Sequence, residues 1–175
     1  TSAGQDVNER NALYAADFLT CVRIISETLA QLPLILYERQ DRGKRRATNH
    51  PLYRVLADQA NDEMTAYVFR ETLQSHLLTW GGAYAWIERN NDFDVAGLWP
   101  LLPDRTYAFR QNGQLFYRTR LTKEPASPGE DRIYSARDVL HVPGLSFDGI
   151  RGYSVVDLMR EAVGLSVAQD KYNGR

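Results

Sequence analysis

At Gly81-Gly82 the chain changes its periodicity, and that change limits the folds open to it. Upstream, apolar residues recur every three or four positions, the spacing of helices with one buried face. Downstream, from Ala83 to Val142, apolar residues fall in short, often alternating runs separated by turn residues, which is the pattern of strands. A helical pattern returns only after Gly152. The order predicts an α+β fold, mostly antiparallel sheet and hairpins packed against several helices and ending in a long C-terminal helix. A chain of 175 residues can bury roughly 70% of its unfolded surface around one core.

The helical part divides at its prolines. Residues 1–10 are polar and read as a flexible N-terminus, although Asp6 and Glu9 stand at capping-box spacing. The first helix is expected from about Asn11 to Leu32, with Phe18, Val22, Ile25, Leu29 and Leu32 on one apolar face and Pro33 ending it. Cys21 lies in this pattern and reads as a buried structural thiol; as the only cysteine it can form no internal disulfide. A strand-like run, Leu34–Arg39, leads through a turn at 40–43 to Lys44-Arg45-Arg46. Arg39, Arg42, Lys44, Arg45 and Arg46 form the one local concentration of basic residues. It is either a solvated hairpin tip or a loop facing phosphate. His50-Pro51 opens a short helix, since proline at the first turn forfeits no bond. Thr65 caps another running to Trp80, where Gly81 can take the left-handed conformation that closes a helix.

Among the strands the sharpest signal is Asn112-Gly113 between Thr106–Arg110 and Gln114–Arg120. That dipeptide favours a two-residue type I′ turn. The implied register sets Phe109 opposite Phe116 and Tyr107 opposite Arg118 on one face, with Ala108 opposite Tyr117 on the other. Ala83–Arg89 and Val95–Leu102 also read as strands, Pro100 arguing for a strand end or an edge position. Lys123–Asp131 is the best loop by composition. Short strands follow at Arg132–Tyr134 and Val139–Val142.

After the Pro/Gly-rich stretch 143–152, Ser154 is a credible N-cap and no proline interrupts the chain to Arg175. On a helical wheel Val155, Val156, Leu158, Met159, Ala162, Val163, Leu165 and Val167 cover half the circumference or more. A helix lying on one sheet needs a narrower stripe. Either this helix is packed on two sides within its own domain, or something outside the sequence covers part of it. The second reading makes the chain a fragment.

Charge and motif content exclude several functions. With 21 basic and 22 acidic side chains, the chain lacks the basic excess of a protein that grips nucleic acid by charge. No apolar run reaches the ~18 residues that span a bilayer. The three histidines, His50, His76 and His141, show no metal-ligand spacing, and no phosphate-binding, dinucleotide or hydrolase signature is present. No catalytic, cofactor-binding or metal-binding residue is therefore expected. The nearest catalytic candidate is Asp138 with His141, beside the loop that holds Ser146 and Asp148. Such a group acts only if a hydrogen-bonded line joins it in space. A separate alternative is a nucleic-acid-binding module, with Tyr107, Phe109 and Phe116 as a stacking face and the Arg39–Arg46 cluster as its charge.

Several stretches taken together resemble the portal proteins of tailed bacteriophages. They are Cys21-Val22-Arg23-Ile24-Ile25-Ser26-Glu27-Thr28-Leu29-Ala30-Gln31-Leu32-Pro33-Leu34, His50-Pro51-Leu52-Tyr53, Phe69-Arg70-Glu71-Thr72-Leu73-Gln74 through Trp80-Gly81-Gly82-Ala83-Tyr84, and Leu98-Trp99-Pro100-Leu101 with Pro103-Asp104-Arg105. Val139–Val142, Gly144-Leu145-Ser146 and Asp148-Gly149 extend the likeness. Their order and spacing carry it rather than any single motif. Asp58–Glu63 departs from the family's Asn/Pro-rich turn.

The resemblance implies a subunit of a ring, typically dodecameric, at one capsid vertex in the virion, assembled in the host bacterial cytoplasm. Double-stranded DNA would pass through the ring without specific binding. Terminase, the major capsid protein and head–tail connector proteins would be its partners, with no membrane and no cofactor. It also implies a division into residues 11–152 as a wing-like core and 153–175 as a helix leading to stem, clip and crown regions.

Overall fold

The structure is a computed structural model that describes Thr1, Gly4 and residues 6–121 and 130–173. A 3-10 turn at Asn11–Tyr14 precedes α1 (Ala16–Ala30), the hairpin of β1 (Tyr37–Arg39) and β2 (Lys44–Arg46), and α2 (Pro51–Ala57). A tight pair, β3 (Gln59–Asn61) and β4 (Met64–Thr65), leads into α3 (Ala66–Trp80). Then come β5 (Gly82–Arg89), β6 (Val95–Leu101), β7 (Thr106–Gln111), β8 (Gln114–Leu121), β9 (Glu130–Ser135) and β10 (Val139–Pro143). The chain closes with α4 (Val155–Leu158) and α5 (Arg160–Asn173). The architecture is α+β, with antiparallel pairing throughout.

Strand β5 organises the core. It is the middle strand of the sheet β10-β5-β6, and its side chains point to opposite faces in turn. Ala83 and Ala85 pack with Val55 of α2 and with Phe69 and Leu73 of α3. Tyr84 turns the other way and joins Ala108 and Tyr117 of the second sheet, β7-β8-β9. Helices, central sheet and second sheet thus form three layers, with an apolar core on each side of the middle one. Burying Phe69, which is 5% exposed, contributes about 1.5–3 kcal/mol. Pro100 lies on β6, an edge strand of the central sheet, where a missing donor is tolerated.

Local signals hold where they rest on backbone chemistry. Thr65 accepts a bond from the Val68 amide at 3.3 Å, and Gly81 ends α3 at φ 75°. Asn112 and Gly113 both take positive φ, 51° and 78°. The hairpin register is the expected one, Phe109 opposite Phe116 and Ala108 opposite Tyr117.

Three expectations are corrected. The first helix is not continuous from 11 to 32: Ala15 is extended, at ψ 115°, between the 3-10 turn and α1. Alanine favours helix, so packing makes the break. Ala12 and Ala15, both fully buried, enter a separate cluster with Val7, Val156 and Val163. The last helix is likewise two pieces, parted at Met159 (φ −106°, ψ 15°), and Val156 and Val163 from either side reach that same cluster. Cys21 is exposed rather than buried, because α1 buries Val22, Ser26 and Ala30 instead.

In the stretch expected to be loose, Val7 is 3% exposed and Glu9 accepts a bond from the Ser154 hydroxyl at 2.9 Å. Of the predicted loop 123–131 only Glu130 and Asp131, both in β9, fall among the described residues; 123–129 and Gly174-Arg175 lie outside them.

Candidate functional site

The residues considered for hydrolysis do not form a line. The Nδ1 of His141 is 3.0 Å from the Tyr117 hydroxyl, and its ring stacks on Tyr84 with centroids 4.5 Å apart. Burial lowers the His141 pKa from its ordinary value. Its other ring nitrogen is buried without a hydrogen-bond partner among the described residues. Asp138 faces Arg89 at 3.8 Å. Ser146 accepts from the Gly149 amide at 2.9 Å, and Asp148 accepts from Ile150 and Arg151. Those amide bonds hold the Asp148 carboxyl below its usual pKa. Serine and aspartate shape a loop here, and imidazole belongs to an aromatic stack.

That loop is fixed by glycines. Gly144 donates to the Gly81 carbonyl at 2.9 Å where the end of α3 meets the segment after β10. A Cβ on Gly152 would lie 1.6 Å from that same oxygen. The close backbone approach explains the Pro/Gly-rich composition of 143–152.

Tyr107, Phe109 and Phe116 lie on the outer face of β7-β8-β9, since the face toward the core is that of Ala108 and Tyr117. Phe109 and Phe116 stack at 5.9 Å, and Arg118 sits 5.9 Å over the Tyr107 ring. The cations of this face are largely neutralised. Asp131 accepts from both Arg118 and Arg120, and those two bonds hold its carboxyl below the ordinary carboxylate pKa. The basic residues of the other cluster lie on β1 and β2, all of whose residues are exposed, with Arg42 in the turn between them.

An uncovered apolar surface lies on α1. The sequence stripe runs over Phe18, Val22, Ile25, Leu29 and Leu32 and centres near Phe18, whereas the buried residues of α1 are Val22, Ser26 and Ala30, so that only Val22 belongs to both. At about 100° per residue the two directions differ by roughly 80°. Ile25, Leu29 and Leu32 consequently keep 46%, 41% and 65% of their surface. Beside them an open groove of about 380 Å³ runs between α1 and α4–α5, floored by Phe18, Ile25, Leu78, Met159 and Ala162 and edged by Cys21.

One structural contact gave no sequence signal of its own. Arg70, next to the buried Phe69, donates through Nε and Nη2 to the Ala30 carbonyl (3.2 and 2.8 Å) and through Nη1 to the Leu56 carbonyl (3.1 Å). One guanidinium therefore ties α3 to the C-terminal ends of α1 and α2.

Comparison with known proteins gives a consistent picture. The family model described as phage portal protein matches residues 16–175. The portal protein of Enterobacteria phage HK97 is 30% identical over 166 residues, covering 94% of this chain and 38% of that protein. The probable portal protein of Streptomyces phage phiC31 is 26% identical over 183 residues, covering 99% of this chain and 39% of that one. The chain thus spans about two fifths of these relatives. Among solved structures, the neck of an empty GTA particle, computed with C6 symmetry, aligns with a TM-score of 0.74 at 17% identity over 98% of this chain and 46% of that chain. An HK97-family phage portal protein from Corynebacterium diphtheriae aligns with a TM-score of 0.54 at 16% identity, over 90% of this chain and 44% of its own.

Proposed function

Because the chain belongs to the phage portal protein family, we propose that it serves as the wing-like part of a structural subunit in a portal ring at a capsid vertex. In this reading residues 11–152 form the wing-like core, and 153–175 lead toward stem, clip and crown regions. The ring is the channel through which double-stranded DNA is packaged and ejected, and it docks terminase, the major capsid protein and head–tail connector proteins. It stands at the portal vertex of the virion after assembly in the host cytoplasm, and it catalyses no reaction of its own. The observation that carries the reading, beyond family membership, is the apolar side of α1 with its groove. Exposed apolar side chains beside an open groove support a part that is covered in an assembly.

Electron microscopy of the full-length gene product expressed alone tests this. Rings with a central hole are the expected result. A monodisperse small particle would overturn the proposal and leave only a shared fold.

A further inference from the structure

The β1–β2 hairpin sorts its charges by face. In the register Tyr37 opposite Arg46, Glu38 opposite Arg45 and Arg39 opposite Lys44, strand alternation places Arg39, Lys44, Arg46 and Tyr37 on one side. The other side carries Glu38 and Arg45, which pair with each other at 2.8 Å. One face is thus neutral and the other holds three cations and no carboxylate from either strand. Arg39 and Lys44 stand directly across from one another, and like charges so placed destabilise a strand pair. Among the described residues none of the three makes an ion pair, and Lys44 rests 4.5 Å over the Tyr37 ring. An arrangement that repels itself is relieved by an external anion.

The face favours a phosphate backbone over a protein. A protein interface needs an apolar centre and is depleted in lysine, whereas Tyr37 is the only apolar group here and Lys44 covers it. Phosphate contacts need cations and donors alone. The cations are roughly 5–7 Å apart across and along the ribbon, so each can meet a different phosphate. We propose that the Arg39–Lys44–Arg46 face is a contact surface for the sugar–phosphate backbone of double-stranded DNA. The choice of DNA among polyanions rests on the portal reading above. Three such contacts carry no sequence information and are few enough for a duplex to slide past them.

Fluorescence anisotropy of the 175-residue chain with a short labelled duplex of random sequence tests the proposal. For three contacts the affinity should fall roughly 40-fold between about 50 and 200 mM salt. The triple variant Arg39→Gln/Lys44→Gln/Arg46→Gln should bind about tenfold or more weakly at low salt and lose most of the salt dependence. The charge-neutral control Glu38→Gln/Arg45→Gln, on the opposite face, should bind as the parent does. The three proteins should melt within a few degrees of one another, since the hairpin residues are exposed and each pair removed is worth less than about 1 kcal/mol. The proposal is overturned if the triple variant binds within about twofold of the parent, or if the control loses as much. Tighter binding of polyglutamate than of the duplex overturns it in favour of an acidic protein partner. Rings formed by the full-length product with no duplex affinity sink this inference alone. Affinity that depends on this face without rings sinks the portal reading and leaves the phosphate contact standing.

Discussion

Replacing Arg70 by alanine removes a side chain that joins three helices. Its guanidinium reaches two carbonyl groups, those of Ala30 and Leu56, through three bonds of 2.8 to 3.2 Å. A hydrogen bond to a charged group contributes about 1.5–3 kcal/mol net, and the two donors on Ala30 share one acceptor. A cation at a helix C-terminus adds about 0.3–1 kcal/mol. Arg70 is half-buried, so water recovers part of what the carbonyls lose. The balance is about 2–4 kcal/mol. For a chain of this size, 1 kcal/mol moves the melting temperature by about 2–4 °C, so the midpoint should fall by roughly 5–15 °C. Urea unfolding followed by circular dichroism measures the loss, and an unchanged m-value certifies that stability alone has moved. Arg70→Met keeps the apolar stem and removes the charge, so it should lose nearly as much as alanine. Arg70→Lys can still serve one helix end and should lose about half. An alanine variant within about 1 kcal/mol of the parent, or a lysine variant no better than methionine, would refute the account of Arg70 as a joint between helix ends.

Three further tests address other parts of the fold. His76 is buried, and burial lowers its pKa from 6.5 to about 4 against a smaller opposing pull from Asp104. The unfolded chain therefore takes up the proton first as the pH falls. Stability that is complete above about 6.5 is lost down to about 4, up to about 3 kcal/mol in all. Urea midpoints at pH 7 and pH 5 should differ less for His76→Gln than for the parent, and equal differences would remove His76 from the acid response. Gly152→Ala should lower stability by about 2 kcal/mol or more, because its Cβ meets the Gly81 oxygen. Gly43→Ala, left-handed but in open space, should cost only about 1–2 kcal/mol; thermal melts that fail to separate the two would contradict the glycine crossing. Ile25→Glu with Leu29→Glu, both side chains a little over half covered within the chain, should cost this chain about 1–3 kcal/mol yet abolish rings of the full-length product in electron micrographs. A loss above about 5 kcal/mol would show that α1 is fully covered within the chain itself.

The elements legible in sequence were those whose cause is local. The Asn112-Gly113 turn fixed its own register because a one-residue slip would exchange the Ala108/Tyr117 face with the Phe109/Phe116 face. Thr65, Gly81 and Ser154 ended or began helices by satisfying backbone groups of their own turn. What failed to show is set by contacts far along the chain. Asn61 carries no signal in the sequence, but its side-chain amide donates to the Leu98 carbonyl at 2.8 Å and pins β3 to β6. Ala15 and Met159 interrupt helices without proline or glycine because a cluster drawn from both ends of the chain takes residues on either side of each break. The direction of α1 was misread for a related reason. An apolar stripe measures where large side chains lie, whereas helices approach most closely where side chains are small, and on α1 that side carries Ser26 and Ala30 against α3.

That misreading bears on function. A helix whose apolar stripe and buried face coincide is finished by its own domain. On α1 they diverge: α3 packs on its small residues, while Ile25 and Leu29, with Leu32 just past the helix end, stay exposed and in the proposed ring would meet a neighbour. Leu158, Met159 and Leu165 on α4–α5 leave a second exposed apolar set, with Met159 reaching the groove. Fully burying such side chains contributes about 1.5–3 kcal/mol each, and these are already half-covered, so three or four of them offer roughly 3–6 kcal/mol to association. That is too little to fix a stable pair once about 4 kcal/mol or more of lost rotational and translational freedom is subtracted. It becomes sufficient when each subunit is held between two others and further contacts share that cost. The surface suits a ring subunit better than a dimer, and the isolated chain should accordingly sediment as a monomer or weak oligomer; a stable ring formed by these 175 residues would show the reasoning to be wrong.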